Sequence, residues 1–331
     1  MMIAYLKLLR FQNLLFIAFI QFAMHQTVLA PILQTFGFET SFLEMGYFYL
    51  LITATVFIAA GGYVLNDYFD IKIDKINHPN QQIVGTSISR KKSMILYQIL
   101  TGIGVFIGLF LAFIAKSLTL TFIFIIIPGL LWFYSASYKR QFLIGNLVVA
   151  FMAALSVLIV AITQLAFLEN IYGKLIFETP IPEQLYRWVS GFSLFAFLCT
   201  WIREIIKDLE DEKGDREMEC RTMAIVWGVK KTKIFLYGLI ITTTIGLLTS
   251  ILVFIPFEGS LTLRYFLFGV ALPFCALAYL VFTAKNPNDY HQASTLSKVI
   301  MLIGVLYCFI FYFLQAKTFG ISLFNLFMIQ Q

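Results

Sequence analysis

The sequence predicts an all-α polytopic membrane protein of about nine transmembrane helices. Three observations predict it. Of 331 residues, 60% are hydrophobic and only 13% charged, where soluble domains carry roughly 25% charged residues. Mean hydropathy is +0.85. The apolar residues also gather in runs of about twenty, the length that crosses about 30 Å of hydrocarbon as a helix. Helices are the expected form because backbone groups in lipid have no water to bond and must satisfy one another.

The runs lie near 11 to 33, 44 to 67, 93 to 113, 118 to 134, 142 to 166, 188 to 206, 232 to 256, 264 to 284 and 297 to 316. The first is long, is followed by further spans and carries no small-residue cleavage site, so it reads as a span and not a secretion signal. No linker or soluble insertion interrupts the series, and residues 1–331 are expected to form a single domain. The longest external segment, about 167 to 187 with Pro180 and Pro182, is expected to cap the outer side. Cys199, Cys220, Cys275 and Cys308 stand singly, without metal or redox spacing, and read as apolar filler.

Basic residues give the orientation. With a cytoplasmic N-terminus, all but Lys116, Lys174, Arg187, Arg264 and Lys317 of the 24 Lys and Arg fall on the cytoplasmic face, the bias that sets membrane topology. The net charge of +6 therefore reflects topology. No nucleic-acid-binding motif accompanies it, and no nucleic-acid partner is expected.

The acids follow a different logic. Eleven of the 18 crowd into two cytoplasmic segments, 67 to 74 within "NDYFDIKIDKIN" and 204 to 219, which begins in "REIIKDLEDEKGD". Asp67, Asp70 and Asp74 in the first repeat the spacing of Asp208, Asp211 and Asp215 in the second. Offsets of three and seven residues set each triplet on one helical stripe. Both stripes end a helix at the cytoplasmic side, where the helix dipole adds further negative potential. Such clustered oxygens call for a cation. Mg²⁺ suits them, since it is commonly held by one or two carboxylates with phosphate oxygens and water completing its octahedron. Lys72, Lys75, Arg203, Lys207, Lys213, Lys139 and Arg140 flank the acids and are candidates for the remaining phosphate oxygens. Asn13, a polar residue near the start of the first span, is a further candidate for diphosphate or acceptor.

These residues resemble the UbiA-type intramembrane prenyltransferases. The match is to NDxxDxxxD in "NDYFDIKID" and DxxDxxGD in "DLEDEKGD", with weaker pieces in "YSASYKR", "IGN" at 144 to 146 and "LLRFQN" at 8 to 13. The resemblance implies a helical bundle around a central cavity open sideways to lipid, and Mg²⁺-dependent transfer of a prenyl group from an isoprenyl diphosphate to a lipophilic acceptor. It implies that Asn66, Asp67, Asp70 and Asp74 form one metal site and Asp208, Asp211 and Asp215 the other. Asp70, Asp74, Asp211 and Asp215 would act in catalysis through the metal. Tyr134, Lys139 and Arg10 would surround the diphosphate, with Lys139 and Tyr134 counted among the catalytic residues, while Asn66 and the flanking Arg203 and Lys207 are further candidates to bind it.

The chemistry fits these residue types. Breaking an allylic C–O bond leaves a delocalised carbocation and puts charge on the leaving diphosphate, which metal ions and cationic side chains stabilise as it develops. A dry membrane cavity excludes water as a competing nucleophile. Two departures from the family pattern stand out. Asn77, His78, Pro79, Asn80, Gln81 and Gln82 replace a run such as N-R-P-D-R-P, and Glu219, Thr222, Met223 and Ala224 follow the second motif in place of Gly and T-L-P.

The resemblance is greatest to the ether-lipid branch, which implies geranylgeranyl transfer to geranylgeranylglycerol phosphate. Aromatic acceptors of hydroxybenzoate, dihydroxynaphthoate, haem or chlorophyll type are the alternatives within the family. Paired acidic sites also suit a transporter, but transporters hold such sites near the bilayer midplane on broken, inverted helices. The expected location is a bacterial-type inner membrane, with the N-terminus and acidic motifs cytoplasmic.

Overall fold

The computed structural model describes residues 2–39, 42–77 and 82–324. His78, Pro79, Asn80 and Gln81, part of the run that departs from the family pattern, lie outside the described residues. Helix α1 (Met2–Leu8) leads into α2 (Phe11–Met24), which continues through a π-helical segment, His25–Leu29, into α3 (Ala30–Thr35). Then come α4 (Phe42–Phe69), α5 (Ile71–Asn77), α6 (Arg90–Ile114) and α7 (Leu118–Ala136). A 3₁₀ turn, Tyr138–Arg140, precedes α8 (Ile144–Tyr172), and a second, Gly173–Glu178, precedes α9 (Ile181–Glu210). Short helices α10 (Glu212–Glu217) and α11 (Met223–Val226) lead to α12 (Gly228–Phe254). Last come α13 (Leu261–Tyr265), joined by the π-helical segment Phe266–Ala271 to α14 (Leu272–Thr283), and α15 (Pro287–Phe319).

Among the described residues, nine helical stretches are long and apolar enough to cross a membrane, and the protein is an integral membrane protein. Their ends carry local signals. Ser89 caps α6 by accepting from the Lys92 N–H, Ser117 caps α7 from the Leu120 N–H, and Asn286 with Asp289 forms a capping box on α15. The outer segment expected over 167 to 187 is mostly helix instead. Helix α8 continues to Tyr172, and Pro182 lies in the first turn of α9, where a missing N–H costs nothing.

Burial separates inner from outer spans. The most apolar windows of Phe11–Thr35 and Ile181–Glu210 are 61% and 56% buried, against 17% for those of both Arg90–Ile114 and Leu118–Ala136; α2, α3 and α9 are therefore central and α6 and α7 peripheral. Rings such as Phe106, Phe113, Phe268 and Phe282 face outward, as lipid-facing apolar residues do. One core gathers α2, α3, α4, α8, α9 and α15, and a second gathers α9, α12, α14 and α15. A smaller cluster of Leu8, Val64, Val84 and Ile88 folds the loop before α6 back onto the end of α4. That packing fixes the acidic end of the bundle.

Candidate functional site

Each acidic triplet straddles a one-residue break between a long span and a short helix. Asp67 closes α4, Asp70 sits in the break and Asp74 lies in α5; Asp208 closes α9, Asp211 sits in the break and Asp215 lies in α10. The hydrogen-bond ladder runs through both breaks. Asp70 N–H donates to the Asn66 carbonyl at 3.0 Å and Asp74 N–H to the Asp70 carbonyl at 2.9 Å. Asp211 N–H donates to Lys207 at 2.9 Å and Asp215 N–H to Asp211 at 3.1 Å. The side-chain stripe read from the spacing therefore survives the breaks.

Asn77 joins the two triplets. Its Oδ1 accepts the Gly214 N–H at 2.9 Å and its Nδ2 donates to the Asp211 carbonyl at 3.3 Å. Gly214 is required by this approach, since a Cβ there would stand 2.3 Å from Asn77 Oδ1. The pairing brings Asp70 into the electrostatic field of Asp215.

Basic and amide side chains fill the space between the acids. Lys139 Nζ donates to Asp70 Oδ1 at 2.5 Å and to Asn66 Oδ1 at 3.2 Å, while Asn66 Nδ2 donates to Asp70 Oδ2 at 2.8 Å. Arg10 donates to Asp67 Oδ1 at 2.9 Å and lies over the Tyr63 ring, 5.1 Å from its centroid. On the opposite side Asn146 Nδ2 donates to Asp208 Oδ2 at 3.0 Å. The Tyr134 hydroxyl stands in the combined field of Glu204, Asp70, Asp208 and Arg10.

The turn carrying Lys139 is seated on α8 at Gly145. A Cβ at Gly145 would lie 2.7 Å from Lys139 Cα and 2.9 Å from the Tyr138 carbonyl. The same turn accepts a bond from the second motif's loop, Arg221 N–H to the Arg140 carbonyl at 2.8 Å. Three non-glycine residues with positive φ frame the site: Arg10 at 49°, Leu143 at 63° and Glu219 at 55°. Such conformations cost about 1–3 kcal/mol each and persist where surrounding structure holds them.

Burial shapes the charges outside the spans. It pushes the Asp215 carboxyl up to about 6, with the Asp211 and Asp70 charges adding to the rise. It lowers the Lys139 ammonium, against the pull of Asp70. The Cys220 thiol is pushed up to about 11, chiefly by burial, so it is no ready nucleophile. Among the described residues no three His, Cys, Asp or Glu side chains converge tightly enough to hold an ion by themselves. Two carboxylate-bearing loops clamped face to face nevertheless fit Mg²⁺, which takes one or two carboxylates and completes its shell with substrate oxygens and water.

Other expected residues stand apart from this arrangement. Arg203 Nη1 donates to Glu204 at 2.6 Å, while Asn13 and Lys207 make no side-chain hydrogen bond among the described residues. Sequence reasoning assigned no role to Asn77, Gly145, Asn146 or Gly214. Asn146, a lone amide in an otherwise apolar run, and Asn77, three residues beyond Asp74 on the acidic stripe, were the available signals.

Comparison with known proteins agrees with this fold. A model described as the UbiA prenyltransferase family matches residues 28–301. The digeranylgeranylglyceryl phosphate synthase of Sulfurisphaera tokodaii is 34% identical over 253 residues, 74% of this chain and 78% of that protein. A solved structure described as giving insights into the biosynthesis of digeranylgeranylglyceryl phosphate synthase in membranes aligns at TM-score 0.59 and 23% identity, over 94% of this chain and 98% of its own. A UbiA homolog from Archaeoglobus fulgidus, solved with GPP and Mg²⁺, aligns at TM-score 0.53 and 14% identity, over 92% and 99%. These two structures share the fold.

Proposed function

The chain belongs to the UbiA prenyltransferase family, and from that premise we propose that it transfers a geranylgeranyl group from its diphosphate to geranylgeranylglyceryl phosphate, forming an ether with loss of diphosphate. The observation that carries the proposal is the clamping of two identically spaced Asp triplets across Asn77 and Gly214, with Lys139 on Asp70. The name of the Sulfurisphaera tokodaii relative supports the acceptor.

Asn66, Asp67, Asp70 and Asp74 on one side, with Asp208, Asp211 and Asp215 on the other, would hold Mg²⁺. When bound, the metal neutralises charge on the leaving diphosphate. Lys139 and Arg10 supply cationic donors toward the same oxygens, and Asn66 and Asn146 orient carboxylates through their amides. Arg203 and Lys207 add positive charge from α9, Asn13 stands one turn beyond Arg10, and Tyr134 presents a hydroxyl from the apolar side. Arg10, Asn66, Lys139 and Asn146 are held by hydrogen bonds before substrate arrives, and such preorganisation is where electrostatic stabilisation of a departing anion gains most.

We read the whole chain as one catalytic unit lying in the cell's inner membrane, with the N-terminus and acidic loops cytoplasmic. The concentration of basic residues at the acidic end supports that orientation. Both triplets also lie at one end of the bundle, unlike the midplane sites of transporters.

The test supplies purified protein with Mg²⁺, geranylgeranyl diphosphate and, in parallel, geranylgeranylglyceryl phosphate or a hydroxybenzoate. Mass spectrometry should find the doubly prenylated glycerol ether, and EDTA should remove it. Product with the aromatic acceptor alone would overturn the acceptor assignment.

A further inference from the structure

We propose that Lys298 of α15, with Arg203 and Lys207 of α9, forms the pocket that recognises the phosphate of the lipid acceptor; the inference rests on the proposed glycerol-phosphate acceptor. Sequence reasoning counted Lys298 only as a topological charge. The helix register gives it another place. Residue numbers rise along α15 as they fall along α9. His291 of α15 pairs with Glu210 of α9 at 2.9 Å, and farther along the same seam Gly304 packs on the Phe195 ring so closely that a Cβ would lie 2.0 Å from it. Between these two contacts, about two turns from the first, Lys298 falls opposite Arg203.

The charges around Lys298 agree with that register. Arg203, Lys207 and Arg10 all act on it as like charges, opposed by Glu210. Like charges gathered from three elements repel, so their arrangement needs an anion to be favourable. Neighbouring acids satisfy only part of the cluster. Arg10 is held by Asp67 and Arg203 Nη1 by Glu204, and Glu210 is engaged by His291. Lys207 and Lys298 form no ion pair among the described residues. Arg203 Nε is buried and has no hydrogen-bond partner there. Two ammonium groups without an ion pair among the described residues and one orphaned guanidinium N–H match a phosphate monoester, which carries close to two negative charges and three acceptor oxygens.

The position also separates two phosphate-bearing substrates. Lys139 and Asn66 occupy the side of the acidic site formed by α4 and the turn before α8, and there the donor diphosphate meets the first triplet. Lys298 lies on the opposite wall, on α15 where it packs on α9 and α2, exposed and within the field of Arg203, Lys207 and Arg10. Arg203 is thereby assigned to the acceptor and not, as its position beside the second triplet suggested, to the donor. Aromatic acceptors without a phosphate would leave this cluster unmatched, so it also provides selectivity within the family.

The experiment compares geranylgeranylglyceryl phosphate with its dephosphorylated alcohol as acceptors, at saturating geranylgeranyl diphosphate, for the wild type, Lys298→Met and Lys298→Arg. The wild type should prefer the phosphorylated acceptor. Lys298→Met should raise KM for that acceptor by about tenfold to a hundredfold, the effect of losing a charged hydrogen bond, while kcat and the KM for the diphosphate donor stay near wild type. Lys298→Arg should restore most of the preference. A wild type that uses both acceptors equally, or a Lys298→Met protein that keeps its preference, overturns the inference while leaving glycerol prenylation intact. Transfer to neither glycerol acceptor overturns the proposed function itself.

Discussion

Asn77 grips both faces of the turn at Gly214, accepting its N–H at 2.9 Å while donating to the Asp211 carbonyl at 3.3 Å. One side chain thus sets the separation of two acidic loops more than 130 residues apart in sequence. Asn77→Ala should leave the transmembrane bundle folded, as judged by an unchanged elution profile in detergent. Prenyl transfer should fall by about a hundredfold, the scale expected when reacting groups shift by an ångström. Gly214→Ala, which drives a methyl into Asn77, should reproduce the loss; full activity in either variant would mean that the clamp does not position the acids.

Lys139 is held by Asp70 and Asn66 together. Replacing it with Met removes the donor proposed to face the leaving group and should lower kcat by about 10²–10³-fold, the range measured when one preorganised donor is lost elsewhere. Lys139→Arg should not restore the rate, because a planar fork cannot occupy the space of a compact ammonium. Single-turnover measurements at saturating donor would separate this effect from weaker binding.

The seat beneath Lys139 makes a separate prediction. Gly145→Ala places a methyl against the backbone of Lys139 and Tyr138, so the turn must move and activity should drop although no charged residue has changed. Asn146→Leu removes the amide that donates to Asp208 and should destabilise the protein by about 1–3 kcal/mol, the cost of an unsatisfied buried acceptor. Turnover at saturating substrates reads the first, and thermal unfolding in detergent, without metal, reads the second.

Much of this arrangement was legible in the sequence because it depends on local periodicity. The spans follow from apolar runs, and the repeated spacing of Asp67, Asp70 and Asp74 with Asp208, Asp211 and Asp215 follows from helical geometry, which the hydrogen-bond ladder carries through both breaks. Contacts between distant segments were not legible. Nothing local links Asn77 to Gly214 or Asn146 to Asp208, and Lys298 was indistinguishable from a topological charge until α15 was registered against α9. Span ends were also hidden where proline begins a helix, as at Pro182, because the same residue type marks loops. The π-helical segment at His25–Leu29 leaves no mark on a hydropathy profile. It brings His25 to 3.4 Å from Glu44 within the bundle.

Metal and donor should stabilise the fold together. Ligands that bind the native state raise its unfolding midpoint by mass action, so Mg²⁺ with geranylgeranyl diphosphate should raise the midpoint more than either alone. The increment should vanish with EDTA. An equal shift from diphosphate without metal would argue that Lys139 and Arg10 alone hold the donor.

The most direct test of the paired acidic site is the metal-dependent turnover of Asp70→Ala and Asp211→Ala, one variant from each triplet, measured beside the wild type with geranylgeranyl diphosphate and geranylgeranylglyceryl phosphate. Each substitution removes one carboxylate from a helix break and leaves the flanking helices in place. Both variants should remain folded and lose Mg²⁺-dependent ether formation. Wild-type turnover in either one would contradict a mechanism in which the two triplets act as a single site.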